Sequence, residues 1–195
     1  MIATIVRERG VFEPETAPMR LSRPPTAVMP LVTLLRELAG VLEATTDEQY
    51  CRKPVGVVSA SIGGHVRHSL DHIEAVLDGI DAGVIDYDSR ARGTAVESNR
   101  QAALDAIDRL KLELLGMPAI PEHLPLRLKV LLTSDGPSME VATSLGREMA
   151  FALSHTVHHN ALIAVIAKTL GIPLPERFGY APSTIAHLEK TTCAQ

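Results

Sequence analysis

Six of the eight histidines in this 195-residue chain fall in two short windows, His65, His68 and His72 in one and His155, His158 and His159 in the other. Imidazole is the commonest protein ligand for transition metals. On a helix, residues four apart project from one face a turn apart, so His155 and His159 can grip a single ion. His65, His68 and His72 share one sector of a second helix, and a histidine from that sector would complete a three-nitrogen site. Such a site keeps a coordination position for water or substrate, as catalytic metal sites do. Spacing leaves open which of the three is the ligand. The bland alternative is a pair of helices with core histidines, since H-x-x-x-H also arises by chance. Burying several imidazoles against Phe151, Leu162 and Ile166 with nothing to ligate, however, would cost about 1–3 kcal/mol for each unsatisfied nitrogen. Other bundle cofactors fit less well. A carboxylate-bridged di-iron centre needs Glu-x-x-His on two helices, and the second window is preceded only by Glu148. A haem needs axial ligands across a wide apolar pocket.

The elements that must carry these windows are legible from apolar spacing. Leu31, Leu34, Leu35, Leu38, Val41 and Leu42 predict a helix from Pro30 to about Ala44. Ile62, Val66, Ile73, Val76 and Leu77 predict a second from Ser61 to Leu77, capped by Ser59 or Ser61 and stopped at Gly79. Thr94 and Glu97 have the spacing of a capping box opening a third helix that runs to about Leu115. Leu126 to Leu132 and Met139 to Thr143 alternate about Ser134-Asp135-Gly136-Pro137, which predicts a small hairpin outside the core. Ser144 caps a fourth helix reaching Leu170 and closed by Gly171 and Pro173, and Pro182 to Lys190 predicts a short terminal helix. Residues 1–25, ending in Arg23-Pro24-Pro25, read as a surface arm. The expected fold is all-α: a four-helix bundle over residues 26–195 with a small β-hairpin before the last bundle helix.

Composition narrows the function classes. Aromatic residues make up 3% of the chain, with no Trp, and the net charge is −4. Neither suits stacking on bases or neutralising a phosphate backbone, so nucleic acid is not an expected partner. Cys51 and Cys193 cannot form a disulfide framework. The first ten residues lack a secretory pattern, and apolar runs are interrupted by charge or histidine before membrane-spanning length. A cytoplasmic protein with no membrane partner is expected.

Four blocks, SIGGHVRHSLDH (61–72), YDSRARGTAVESNR (87–100), SHTVHHNALI (154–163) and FGYAPST (178–184), occur in order and at suitable separations. Together they resemble the DinB-like superfamily of metal-binding four-helix bundles, over most of the chain beyond the arm. In that family a histidine of the second helix, typically followed three residues later by an acidic one, joins an H-x-x-x-H pair on the fourth. The resemblance therefore implies His68, with Asp71 following, His155 and His159 as ligands of a divalent zinc, nickel or iron ion. His65 and His72 depart from the simplest family pattern, and either could replace His68 or join the site. His158 reads as packing or as support behind a ligand. Relatives implied by this resemblance include thiol-dependent transferases and isomerases acting with low-molecular-weight thiols, and metal-dependent hydrolases.

Other polar residues have simpler readings. Asp71 could orient an imidazole or pair with Arg67 or Arg147. Asp88, Arg90 and Arg92 could bind an anionic substrate, but a loop anchored by salt bridges suits them better. Glu148 could act as a general base, though it lies nearly two turns before His155 and reads as structural. Phe178 and Tyr180 read as anchors of a turn tying the tail down, and Cys51 as a small buried residue. Two functions are expected to compete. In the first, the metal activates water or a small thiol, making the protein a hydrolase or thiol S-transferase with a small-molecule substrate. In the second, a stress-related binding or structural bundle holds an ion that only staples its helices. A homodimer through long bundle faces is compatible with either.

Overall fold

The computed structural model describes residues 24–56, 58–89 and 93–192. The expected arm therefore lies outside the described residues except for Pro24 and Pro25, as do Arg90, Arg92 and Cys193. Seven helices and three strands occur among the described residues.

Helix α1 (Val28–Glu43) buries Leu31, Leu35, Leu38, Val41 and Leu42 of the stripe its spacing predicts, with Val32 buried in addition and Leu34 only partly buried. A one-turn helix that apolar spacing does not reveal, α2 (Asp47–Cys51), follows a complete capping box between Thr46 and Gln49. Helix α3 (Ile62–Ala82) starts at Ser61, whose side chain accepts from the Gly64 amide, and ends at Gly83 in the left-handed region. Glycine occupies that turn without the Cβ clash other residues meet. Thr94 precedes a single turn, α4 (Ala95–Ser98), without a side-chain cap bond. Glu97 instead accepts from Arg67 at 3.1 Å. The cap of α5 (Arg100–Gly116) is Asn99, which accepts from the Ala102 amide. Helix α6 (Leu145–Thr169) is capped by Ser144. It is long and apolar enough to cross a membrane by length and composition, and half of its most apolar window is buried inside the protein. Helix α7 (Pro182–Thr192) closes the described chain.

The all-α expectation is overturned by a three-stranded mixed sheet, in order β1 (Val84–Asp86), β2 (Pro125–Leu131), β3 (Ser138–Ser144). Strands β2 and β3 form the expected hairpin, pairing Leu128 with Val141, but not wholly outside the core as expected, since Leu126 is buried in it. Strand β1 adds to β2 in parallel, with Ile85 opposite Leu128. The physical reason is local: α3 stops at Gly83 and the chain turns straight into Val84–Asp86. There Ile85 is fully buried, and the Arg127 amide donates to the Gly83 carbonyl at 3.0 Å. The hairpin is therefore joined to the helices by a strand rather than appended to them.

Helix α3 packs along α6, α1 on α5 and α6, and α5 on α3. One apolar core runs through these helices and takes in Ile85 and Leu126 from the sheet. A chain of this length buries enough apolar surface to be stable on that core alone.

Candidate metal centre

Contacts between the histidine helices run antiparallel, His65 meeting His159, Ser69 meeting Thr156 and His72 meeting His155. Both windows therefore face each other across one seam. The ligand atoms of His68, His72 and His155 lie within 4.8 Å of one another. Their ring centroids are 4.5 Å apart for His68 and His72, 5.0 Å for His68 and His155, and 3.9 Å for His72 and His155. Three histidines thus stand close enough to hold a metal ion.

His159 occupies the next level of the seam. Its ring lies 4.7 Å from His68 and 4.5 Å from His155, but its Nδ1 meets His65 Nδ1 at 3.0 Å. One of those two nitrogens carries the hydrogen and the other accepts it. The structure therefore brings together the expected His68 and His155, adds His72, and turns His159 toward His65. His72 had a signal of its own: His68 and His72 repeat on α3 the four-residue spacing of His155 and His159 on α6. His158 is exposed, with its ring 5.2 Å from His159.

The donor chemistry suits a cation. His72 Nδ1 is 2.9 Å from the His68 carbonyl, which can only accept, so Nδ1 carries the hydrogen and the Nε2 lone pair is directed elsewhere. Burial, and then the neighbouring His155, His68, His65 and His158, push the His159 pKa down to about 2. Burial and then His158 lower that of His65. Both imidazoles are neutral at physiological pH, and neutral imidazole is the form that ligates. His65 Nε2 is buried with no hydrogen-bond partner among the described residues.

Aromatic and acidic groups brace the seam. The Tyr87 ring stacks on His72 at 4.8 Å and 15°. Its hydroxyl donates to Glu148 Oε2 at 2.7 Å, and burial followed by this carboxylate raises its pKa. Glu148 is fully buried and also accepts from Thr143 at 2.6 Å and Arg147 at 3.0 Å. With three donors on it, this carboxylate serves to position its neighbours. Phe151 stacks on His155 at 5.6 Å, and the Arg147 guanidinium lies over the Phe151 ring at 5.2 Å from its centroid. Asp71 accepts from Arg67 at 2.6 Å, and Asp88 from the Leu131 amide at 2.8 Å, tying the 86–89 loop to the sheet. Cys51 is exposed and donates to the Ser98 carbonyl, contrary to its expected burial. Phe178 is buried as an anchor of the tail, whereas Tyr180 is 45% exposed. Tyr87 also lines a cleft of about 400 Å³ with Arg67, Asp71, Glu74 and Arg109.

No family model matches the chain. No solved structure matches it either. Over 108 residues it is 34% identical to a protein named FK506-binding protein 5 from Rhizopus delemar. That stretch is 55% of this chain and 28% of the relative, so the chain spans less than a third of that relative's length.

Proposed function

We propose that this protein binds one divalent transition-metal ion on the facing histidines of α3 and α6. We propose further that the ion serves a hydrolase or thiol S-transferase reaction on a small molecule, activating water or a low-molecular-weight thiol. The observation that carries the reading is the convergence of His68, His72 and His155 ligand atoms within 4.8 Å from two separate helices. The resemblance to the DinB-like superfamily, carried by the same histidine blocks, agrees on His68 and His155 and differs in taking His159 as the third ligand. Such an ion supplies Lewis acidity that brings the pKa of a bound water or thiol toward neutrality. All-imidazole ligation suits zinc, nickel or iron(II). His72 offers Nε2 because its Nδ1 is committed to the His68 carbonyl, and Tyr87 and Glu148 hold that ring in place. His68 and His155 are only partly buried, so the seam has a solvent side from which a small substrate can approach. A cytoplasmic setting, with no nucleic acid or membrane as partner, fits this chemistry. FK506 binding stays with the relative that bears the name, since most of that protein has no counterpart here.

One observation favours a second reading. His159 is 93% buried and its ring lies within 4.7 Å of both His68 and His155, where a fourth imidazole would close the site and make the ion structural. Elemental analysis of protein purified without a metal-affinity tag separates the two. Ala substitution of His68, His72 or His155 is expected to abolish stoichiometric metal, whereas His159→Ala keeps it. Chelation is expected to leave the helical circular dichroism intact while a thiol-transfer or ester-hydrolysis activity disappears. If all four substitutions lose the metal and chelation unfolds the protein cooperatively, the ion is a staple and the enzymatic reading fails.

A further inference from the structure

Among the described residues β3 is the last strand of the sheet, and it carries few of the features that blunt an edge. Ser138–Ser144 contains no proline and no lysine, and its one charge is Glu140. Met139 and Val141 are 43% and 37% exposed, and Leu131 and Leu132 beside them are also exposed. An edge of this kind presents unpaired backbone N–H and C=O groups on which another strand can pair.

The backbone hydrogen bonds define which groups the edge offers. The Arg127 amide points to β1, where it donates to Gly83. Alternation along β2 then directs Leu126, Leu128 and Val130 toward β3, so their partners Thr143, Val141 and Met139 point back toward β2. The N–H and C=O groups of Glu140 and Ala142 face outward.

We infer that β3 pairs antiparallel with β3 of a second copy of this chain, about a two-fold axis through Val141, to give a continuous six-stranded sheet. In this register Glu140 of each copy exchanges both backbone hydrogen bonds with Ala142 of the other. Val141 meets its own counterpart at a non-hydrogen-bonded position, where side chains approach most closely. The apolar row Ile85, Leu128, Val141 runs from buried to exposed across the sheet and continues into the same row reversed. Charges agree as well. On the opposite face Glu140 would stand across Ala142 from the other copy's Arg127, with no like charges opposed. Within one chain Arg127 already attracts Glu140 at 2.8 Å, and Lys129 attracts Asp86 at 2.9 Å. A self-complementary patch of this kind closes as an isologous dimer rather than propagating. The inference does not depend on the metal reading and places the dimer contact on the sheet edge instead of on a helix face.

Sedimentation of the full chain tests it, the expected mass being twice 21.0 kDa. Ala142→Pro removes an outward N–H that β2 does not use, and is expected to give a folded monomer with unchanged helical circular dichroism. As a positional check, Val141→Cys in a Cys51→Ser, Cys193→Ser background is expected to form an intermolecular disulfide under mild oxidation. Directly opposed, non-hydrogen-bonded positions bring Cα atoms within disulfide range. Glu140→Cys in the same background is expected to cross-link far less, because it faces position 142. A wild-type monomer at the highest soluble concentration overturns the inference, whatever else covers the strand. So does a dimer that survives Ala142→Pro and is not trapped by Val141→Cys.

Discussion

Acidification should weaken the metal-free protein in a pH range where carboxylates scarcely titrate. His159 has a pKa of about 2 when folded and a reference value of 6.5 when unfolded. The unfolded chain therefore binds the extra proton, and stability rises with pH between those values and falls as pH drops below 6.5. From about pH 7.5 to about pH 5.5 the unfolded state gains close to tenfold in weight from this one imidazole, a loss of about 1.4 kcal/mol. The result is insensitive to the folded value, because any pKa well below 5.5 leaves the folded imidazole neutral over the whole interval. His65 is shifted the same way and adds to the loss. For a chain of this size the His159 share corresponds to a fall in Tm of about 3–6 °C. The assay is urea unfolding at stepped pH after dialysis against chelator, with His159→Gln expected to flatten the slope by the share of one proton. A metal-free protein equally stable at both pH values, or a His159→Gln variant with the full wild-type slope, would refute the reasoning.

Three further outcomes are expected from urea unfolding. Tyr87→Phe removes one of the donors on buried Glu148 and should cost about 1–3 kcal/mol, while an unchanged midpoint would mean that the carboxylate is satisfied without it. Gly179 has φ +79° and a Cβ there would sit 2.7 Å from the Ala161 Cα, so Gly179→Ala should cost more than about 1 kcal/mol; a neutral result would mean that the tail does not press on α6. Asn160 is fully buried with neither amide atom hydrogen-bonded among the described residues, so Asn160→Leu should raise stability by about 1 kcal/mol. A loss of stability there would identify a buried water held by the amide.

Local periodicity made the helices readable: α1 and α6 begin and end within a few residues of where their stripes and caps put them, whereas α3 begins as expected but runs through Gly79 to Ala82 and stops at Gly83. The strand β1 was not readable. Three residues, Val84 to Asp86, are too short to display alternation, and their pairing depends on Arg127 to Lys129 more than forty residues away. The Thr94–Glu97 spacing marked where α4 opens, but Glu97 pairs with Arg67 instead of closing a capping box, and the break at Asn99 before α5 had no signal in it. At the histidines, spacing identified the two faces but not their relative rise. Seven residues from His65 to His72 climb about 10 Å, whereas four from His155 to His159 climb about 6 Å. Antiparallel packing therefore sets His65 at the level of His159 and His72 at the level of His155, with His68 between. Which imidazoles share a common point is a property of the pair of helices and cannot be read from either alone.

The Tyr87 ring against His72 also makes the seam optically addressable. With no Trp in the chain, near-ultraviolet absorption and emission come mainly from three tyrosines, Tyr50, Tyr87 and Tyr180. Only Tyr87 stacks on a histidine of the cluster, with its hydroxyl on a buried carboxylate, while Tyr50 donates to the Val96 carbonyl at 2.6 Å and Tyr180 is largely solvated. If the histidines take up an ion as proposed, the change in tyrosine signal is expected from Tyr87 rather than from Tyr50 or Tyr180, and a titration followed at tyrosine wavelengths needs neither a label nor a substrate.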